Sequence, residues 1–446
     1  MATTPFRITG GAALHGQVRC EGAKNAALPI MAAAILASEP VHLQNVPRLT
    51  DIATQSKLLR RLGLTVSVEP SDEKPSEMTL ETTDARPVFA PEPFVRQMRA
   101  SFCVLGPLLA RRRKAVVPLP GGCRIGDRPV DLHLKGLTAL GADLRLEHGC
   151  VVAEARRLTG ATVDLSGPRG PSVTGTANVL SAAVLARGVT ILHGAALEPE
   201  IVDLGRFLIA LGAKIEGLGT PILRIEGVEQ LGGARHRLIP DRIEAATLLL
   251  AAAITGGSVT VFDVLPDHMD AVLEKLRATG ATVDVAADRV SITATGPVRP
   301  VSIAAEPFPG LPTDVQAQWT ALMSLADGEC TVQDRVFGSR FSHVAELNRL
   351  GAHITCRDDT AVIHGVERLE GTSVAASDLR ASAALVLAGL AAEGQTTIEQ
   401  VRHLDRGYQR LDEKLRQLGA RIERTESEPS DRDSSPLQIF RKPLAT

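Results

Sequence analysis

The sequence has few of the features that mark disulfide-stapled, zinc-binding or membrane-spanning proteins. Its 446 residues contain only six cysteines, with no CxxC pair or His-rich spacing of the kind that holds zinc. The longest apolar stretches, such as AATLLLAAAI and ASAALVLAGLAA, are too short to cross a bilayer. The first residues, MATTPFRITGG, lack the charged-then-apolar pattern of a secretory signal. We therefore expect a cytoplasmic protein with no membrane contact.

An excess of positive charge is also missing. The formal net charge is -2, which gives no reason to expect a nucleic-acid partner. The composition, 44% hydrophobic and 22% charged residues, is that of an ordinary globular protein, and the chain is long enough for two or three domains. Any affinity for an anion must come from local clusters of basic residues.

A short phrase recurs six times along the chain. It reads RRLGLTV, TALGADL, IALGAKI, RATGATV, NRLGAHI and RQLGARI, with glycines at positions 63, 141, 212, 280, 351 and 419. Such regular self-similarity is typical of repeated supersecondary units. Each unit reads as β-α-β-α-β-β, with a small-residue apolar helix, then an amphipathic helix that ends in Leu-Gly or Thr-Gly, then a hairpin.

Six such units exceed a single core, so three units per domain is the economical division. We predict an α/β protein with a first three-repeat domain at 24–238 and a second at 239–427. Residues 1–23 are expected to complete the second domain, and 428–446 are expected to form a polar tail.

Basic residues stand close to several predicted helix starts. A cation there faces the positive end of the helix dipole, which costs about 0.3–1 kcal/mol, while helix starts suit bound anions. The pattern predicts a cationic cleft for a strongly anionic substrate, although each arginine alone is more often a surface ion pair. Asp314, in LPTDVQAQW, is either a helix N-cap or a general base. The cations concerned are Lys24, Arg99, Arg128, Arg340, Arg380 and Arg406.

The segment PGGCRIGDRPVDLH contains the most suggestive cysteine. Cys123 follows two glycines and precedes Arg124 and Arg128, and nearby cations favour a reactive thiolate. The alternative is an inert, buried, small apolar residue. Cys330 and Cys356 lie in predicted strands and Cys103 in a predicted helix, where we expect burial.

These motifs together resemble the enolpyruvyl transferases, and within them the UDP-N-acetylglucosamine 1-carboxyvinyltransferases of peptidoglycan precursor synthesis. The resemblance covers about residues 6–424, whereas the related 5-enolpyruvylshikimate-3-phosphate synthases share the six repeats but lack the PGGC cysteine. The motifs that carry it are GAKNAALP, MRASF, PGGCRIGDRPVDLH, EPEIVD, PDRIE, PTDVQAQW, RFSHVAEL, DLRASAALVLAGL and HLDRGY.

The resemblance implies a two-domain inverse α/β barrel-like fold with the site between the domains. It implies transfer of the enolpyruvyl group of phosphoenolpyruvate to the 3-hydroxyl of UDP-N-acetylglucosamine, with release of phosphate and no metal or cofactor. Cys123 is then the general acid, the residue that fosfomycin-type epoxides modify, and Asp314 is the general base.

The resemblance also implies two groups of binding residues. The phosphoenolpyruvate group is Lys24, Asn25, Arg128, Arg340, Arg380 and Arg406, with Lys24 and Arg406 also counted as catalytic. The UDP-N-acetylglucosamine group is Asn25, Arg99, Arg128, Pro129, Val130, Asp131, Leu132, Ser172, Val173, Thr174, Asp314 and Val336.

Two positions depart from the family pattern. Glu21 stands where a serine is common, and SVTGT at Ser172 replaces the more frequent SVGAT. Two alternatives stay open beside the active transferase, and the SVTGT departure supports only the second of them. One is a non-catalytic homologue that binds a nucleotide sugar, which the joint presence of Cys123, Asp314, Lys24 and Arg406 disfavours. The other is an enolpyruvyl transferase with a different acceptor.

Overall fold

The computed structural model describes residues 5–69, 76–121 and 130–425. The α-helices in these ranges are α1 (Lys24–Ala33), α2 (Thr50–Arg61), α3 (Glu92–Gln97), α4 (Leu105–Arg112), α5 (Asp131–Ala139), α6 (Val173–Ala183), α7 (Pro199–Ala210), α8 (Arg242–Ile254), α9 (Asp270–Ala278), α10 (Gln316–Met323), α11 (His343–Arg349), α12 (Leu379–Ala391) and α13 (Leu411–Gln417). Short 3-10 helices span Ala34–Leu36, Arg99–Val104, Pro266–His268, Thr313–Val315 and Val401–Arg406.

The strands are short, as expected for a protein built from repeated small sheets. They are β1 (Phe6–Thr9), β2 (His15–Arg19), β3 (Val41–Gln44), β4 (Leu64–Glu69), β5 (Glu77–Thr82), β6 (Lys114–Pro118), β7 (Asp143–Glu147), β8 (Cys150–Glu154), β9 (Thr162–Asp164), β10 (Ser166–Gly167), β11 (Gly170–Pro171), β12 (Val189–His193), β13 (Lys214–Glu216), β14 (Ile222–Glu226), β15 (Ala234–Arg237), β16 (Ser258–Phe262), β17 (Thr282–Ala286), β18 (Arg289–Thr293), β19 (Ile303–Ala305), β20 (Glu329–Asp334), β21 (His353–Arg357), β22 (Thr360–His364), β23 (Ser373–Ala375), β24 (Gln395–Glu399) and β25 (Arg421–Arg424).

The six predicted repeats are present as six small sheets, so the α/β repeat architecture is confirmed. The third repeat forms the order β13-β14-β12-β9 and the fifth forms β19-β20-β22-β21, each from its own four strands. The second repeat forms a three-stranded sheet, β6-β8-β7. In every repeat an amphipathic helix ends at the recurrent glycine, whose φ lies between +86° and +106°. Glycine adopts this left-handed conformation without the steric cost of a Cβ atom.

Three strands join sheets of repeats that lie far from them in sequence. β2 pairs in parallel with β16 and supplies the strand that the fourth repeat lacks. In the same way, β15 pairs in parallel with β3 and supplies the strand that the first repeat lacks. β1 lies between β24 and β25 in the sheet of the sixth repeat. The N-terminal strands therefore belong to the sheets of the second half.

The small-residue helices form the interior of each half. α1, α4 and α6 lie in one hydrophobic cluster that draws on residues 23–239. α8, α10 and α12 lie in another, which draws on residues 6–20 and 243–422. Alanine and leucine on all sides of these helices suit burial on all sides, because no face meets water. The buried residues thus form two clusters, one in each half; the predicted boundaries at 24–238 and 239–427 stay predictions.

The chain crosses between the halves twice, at the same place. Ala23 N–H donates to Ile239 O and Asp241 N–H donates to Glu21 O, both at 2.8 Å. Gly22 and Pro240 form an antiparallel bridge between these segments, and a Cβ atom on Gly22 would clash with the Asn45 backbone. The two crossings are thus one hydrogen-bonded ribbon. Within the described ranges, no helix is long and apolar enough to span a membrane.

Candidate active site

A cavity of 590 Å³ lies between the two halves, where helix starts from both sides meet. Its volume is in the range of about 300–1,000 Å³ that is common for small-molecule sites. Most of the residues that the sequence proposes for substrate binding lie in its wall. These are Lys24, Asn25, Arg99, Asp131, Leu132, Ser172, Val173, Thr174, Asp314, Val336, Arg340, Arg380 and Arg406.

Among the described residues, one proposed binding residue does not lie in this wall. Val130 is the residue before α5 and does not line the cavity. Cys123, Arg128 and Pro129 lie outside the described residues, so their proposed roles stay predictions.

The capped starts of three helices place several cavity residues. Ser172 caps α6 by accepting from Gly175 N–H. Asp241 caps α8 and Asp378 caps α12, each through two backbone N–H groups. Asp314 is not an N-cap: it lies in the 3-10 turn before α10. Its carboxylate is therefore available to other side chains.

Lys24 and Arg406 share one buried carboxylate. Lys24 Nζ lies 3.1 Å from Asp51 Oδ2, and Arg406 Nε donates to Asp51 Oδ1 at 2.9 Å. Lys24 begins α1 in the first half, Asp51 lies in the first turn of α2, and Arg406 comes from the second half. This ion-paired group therefore joins the halves across the cavity.

Asp314 holds two arginines in the same way. Arg340 Nη1 donates to Asp314 Oδ1 and Arg380 Nη2 donates to Asp314 Oδ2, both at 2.8 Å. Asn25 Nδ2 donates to Oδ2 from the other half at 3.4 Å. The side chain of Asp314 is 26% exposed, while those of both arginines are buried. Asn25 is adjacent to Lys24, so the two ion-paired groups are neighbours.

The Arg380 guanidinium rests on the single tyrosine of the chain. It lies 5.4 Å from the centre of the Tyr408 ring. Thr247 Oγ1 donates to Ile243 O and so accepts from the Tyr408 hydroxyl at 2.9 Å. Gln318 Nε2 donates to Tyr408 Oη at 3.1 Å and to Asp314 O at 3.0 Å. A buried polar network thus fixes the positions of both Arg380 and the Asp314 backbone.

The arginines control the ionisation of Asp314. Burial acts to raise the pKa of this carboxyl group, but Arg380 and Arg340 outweigh it and hold the pKa well below its usual range. Asp314 is therefore ionised at neutral pH. A carboxylate with so low a pKa is a weak base while both arginines stay paired to it.

The expected excess of positive charge is not found among the described residues. Seven cations and seven carboxylates line the cavity in this part of the chain. Asp314 is thus not the lone carboxylate among cations that the sequence suggests. The described part of the wall has no net positive charge. An anionic substrate must therefore replace a carboxylate as the partner of a cation.

The wall contains another ion pair, between Arg242 and Glu200, that the sequence did not predict. Arg242 binds Glu200 through two hydrogen bonds of 3.0 and 3.2 Å and lies over the Phe308 ring. Asp51 was missed as well. The available signals were the first-turn position of Asp51 and the motifs EPEIVD and PDRIE, to which no chemical role was assigned.

Glu198 is the least satisfied carboxyl group of the cavity. Its Oε2 is buried and has no hydrogen-bond partner in the described structure, while Oε1 accepts from Phe308 N–H at 3.5 Å. Burial raises the pKa of Glu198, against the opposing charge of Arg242. This carboxyl group can therefore hold a proton more readily than an exposed glutamate.

The described cysteines differ from one another in burial. Cys20, Cys103 and Cys330 are buried, and burial raises the pKa of Cys103 to about 12 and that of Cys330 to about 11. The expected burial of Cys356 is wrong, because its side chain lies on the exposed face of β21. In the described ranges, no group of three or more His, Cys, Asp or Glu residues is arranged to hold a metal ion.

Comparisons with known proteins agree with this fold. The family model of EPSP synthase (3-phosphoshikimate 1-carboxyvinyltransferase) matches residues 8–427. The structure of the enolpyruvyl transferase NikO from Streptomyces tendae matches with a TM-score of 0.84 at 29% identity, covering 96% of this chain and 100% of that one. Two EPSP synthase structures from Acinetobacter baumannii give TM-scores of 0.71 and 0.70 at 19% identity, with 94% and 99% coverage, which shows a shared fold.

The fold and the family match define an enzyme of the enolpyruvyl transferase class, which uses small-molecule substrates such as phosphoenolpyruvate. The chain belongs to the EPSP synthase family.

Proposed function

We propose that this enzyme transfers the enolpyruvyl group of phosphoenolpyruvate to the 3-hydroxyl of UDP-N-acetylglucosamine, releasing phosphate, in cytoplasmic peptidoglycan precursor synthesis. The observation that carries the proposal is the wall of the 590 Å³ cavity. Residues that sequence motifs assign to the two substrates meet there from both halves of the chain. The PGGC motif adds support, since the resemblance associates its cysteine with nucleotide-sugar rather than shikimate acceptors.

The reaction proceeds by addition and elimination. Asp314 takes the proton of the acceptor hydroxyl, whose oxygen bonds to C2 of phosphoenolpyruvate while C3 gains a proton from Cys123. Phosphate then leaves C2 and takes up the proton held by Asp314, while C3 returns a proton to the Cys123 thiolate and the double bond is restored. Lys24, Arg340, Arg380 and Arg406 balance the charge of the phosphate and carboxylate.

Substrate binding would also make Asp314 a better base. The carboxylate or phosphate of phosphoenolpyruvate competes with Asp314 for Arg340 and Arg380, the two cations that hold its pKa low. When those cations are shared with the substrate, the pKa of Asp314 rises toward its ordinary value. The base is thereby strengthened at the moment at which it is needed.

The direct test measures phosphate release from phosphoenolpyruvate with a panel of acceptors. We expect release with UDP-N-acetylglucosamine and none with 3-phosphoshikimate or without acceptor. Efficient release with 3-phosphoshikimate alone would contradict the proposed acceptor. Absence of release with every acceptor, together with unimpaired binding of UDP-N-acetylglucosamine, would favour the non-catalytic alternative.

The role of Cys123 has a separate test. We expect a fosfomycin-type epoxide to inactivate the enzyme by labelling Cys123, because Arg124 and Arg128 lie close to it in sequence, whereas Cys20, Cys103 and Cys330 are buried and burial raises their pKa. Peptide mass spectrometry identifies the labelled residue. A Cys123→Ser variant that is still inactivated at the parent rate would contradict this role.

A further inference from the structure

We propose that His133 is a positioning residue that turns the Thr174 hydroxyl into a hydrogen-bond donor toward a phosphate oxygen of the acceptor nucleotide. The proposal rests on the proposed function above and extends it to the SVTGT departure. Thr174 lies in the cavity wall, whereas His133 is buried behind it.

Two backbone hydrogen bonds fix the orientation of the Asn178 amide. Its Oδ1 accepts from Gly106 N–H at 2.8 Å, and its Nδ2 donates to Phe102 O at 2.9 Å. The amide nitrogen therefore faces His133 Nδ1, at 2.8 Å. Because an amide nitrogen only donates, His133 Nδ1 accepts and carries no proton. Glycine is required at Gly106, where a Cβ atom would lie 2.1 Å from Asn178 O.

The protonation state of His133 follows from this hydrogen bond and from the burial of the ring. Burial, with a smaller effect of the nearby positive charge of Arg99, lowers the pKa of His133 to about 3. The ring is neutral at physiological pH, and with Nδ1 accepting, its one proton is on Nε2. His133 Nε2–H then donates to Thr174 Oγ1 at 3.0 Å.

Thr174 is left with a hydrogen to donate. Its oxygen accepts from His133, and within the described ranges its hydroxyl has no acceptor. The neighbouring Ser172 hydroxyl accepts from Gly175 N–H as the cap of α6. A hydroxyl that already accepts a hydrogen bond is a better donor, because bonds in a chain polarise one another.

The surroundings decide what Thr174 would bind. Arg99 and Arg169 line the same cavity, and Thr174 lies in the first turn of α6. Cations and a helix start both favour anionic oxygen atoms. The diphosphate is the part of a nucleotide sugar that offers such atoms.

The test compares Thr174→Val, Thr174→Ser, His133→Phe and His133→Gln. The control is Thr396→Val, a buried threonine on β24 that does not line the cavity. For Thr174→Val, we expect KM for UDP-N-acetylglucosamine to rise about tenfold, as for a lost hydrogen bond to a charged group. KM for phosphoenolpyruvate and kcat should stay within about twofold of the parent, the scale of a loss confined to ground-state binding. Thr174→Ser, which keeps the hydroxyl, should raise the KM for UDP-N-acetylglucosamine less than Thr174→Val does, whereas Thr396→Val should resemble the parent.

A double-mutant cycle separates positioning from a merely structural role. His133→Phe should weaken nucleotide-sugar binding as Thr174→Val does. Combining the two substitutions should weaken binding little more than either alone. His133→Gln should bind more nearly like the parent, because its amide can both accept and donate. Additive effects, equal changes in both KM values, or an unchanged KM in Thr174→Val would overturn the proposal. Circular dichroism verifies that each variant is folded.

Calorimetric binding of UDP keeps this test independent of the proposed function. If the parent does not turn over UDP-N-acetylglucosamine, the proposed function fails, while weaker UDP binding in Thr174→Val still supports the donor role. Equal UDP binding by parent and variant would overturn that role.

Discussion

Asp314 shares its two oxygens between Arg340 and Arg380, both at 2.8 Å. The same carboxylate keeps the arginines in place before substrate arrives. Asp314 therefore neutralises the two arginines before substrate binds and is the proposed base once substrate is bound.

We expect Asp314→Asn to lower kcat by about 10²–10⁴, the usual contribution of a general base. KM for phosphoenolpyruvate should stay equal or fall, because an amide no longer neutralises Arg340 and Arg380. Steady-state kinetics with each substrate varied in turn measures both effects. Asp263→Asn, which breaks the exposed pair with Arg19, is the matched control. Turnover near that of the parent would exclude the proposed base.

Buried neutral histidines make stability depend on pH. Burial lowers the pKa of His343 to about 4, where Asp378 opposes the effect and Arg340 adds to it. Between about pH 6.5 and 4, the unfolded chain binds a proton at this residue and the folded chain does not, so stability falls as the pH falls.

We expect His343→Gln to remove part of that loss. Its free energy of unfolding should decline less steeply between pH 6.5 and 4, by up to about 1.4 kcal/mol per pH unit. Urea unfolding at several pH values measures the slope. Equal slopes in parent and variant would show that His343 titrates normally in the folded protein.

At the scale of elements, the recurrent glycines allow a paired experiment. Gly212 and Gly63 occupy equivalent helix ends with φ of +106° and +86°. A Cβ atom on Gly212 meets nothing within 4 Å, whereas one on Gly63 would lie 2.0 Å from Asp84 O. The two sites therefore separate backbone strain from steric clash.

We expect Gly212→Ala to lower the free energy of unfolding by about 1–2 kcal/mol, the cost of a left-handed conformation for a residue with a Cβ atom. Gly63→Ala should lower it further, because the loop after β5 that carries Asp84 must also move. Chemical denaturation measures both variants. Equal losses would contradict the contribution of the clash.

The repeats illustrate what a sequence can reveal at this scale. Helix periodicity and glycine helix ends are local properties, so the six units and the starts of α1, α8 and α12 are readable from the chain. The pairing of β2 with β16 and of β15 with β3 is not, since pairing between distant parallel strands leaves no local period. The carboxylate partners Asp51 and Glu200 were missed for a related reason: each is opposite its cation only after the halves pack together.

At the scale of the whole molecule, several cavity contacts cross between the halves. Arg406 binds Asp51, Arg242 binds Glu200, and Asn25 binds Asp314. Gly170 also lies against Pro307, where a Cβ atom would approach within 2.9 Å. These contacts hold the halves close on either side of the cavity.

We expect the halves to separate when these ion pairs are weakened and to close again on the nucleotide sugar. Salt screens buried pairs much less than exposed ones, so the pair is weakened by substitution. Small-angle scattering should give a larger radius of gyration for Asp51→Asn, which weakens the pair with Arg406, and a smaller one after UDP-N-acetylglucosamine is added to the parent. Identical profiles under all conditions would contradict such a movement.

The pairing of β1 and β2 with strands of the second half also has a consequence for synthesis on the ribosome. β1 and β2 are made first, but their partners β16, β24 and β25 come roughly 240 to 420 residues later. At about 5–20 residues per second, β1 waits roughly 20 to 80 seconds for its neighbours, long after residues 23–239 are complete. During that interval an unpaired, partly apolar segment precedes a folded half. Translation rate and chaperone supply then influence yield through these first twenty residues.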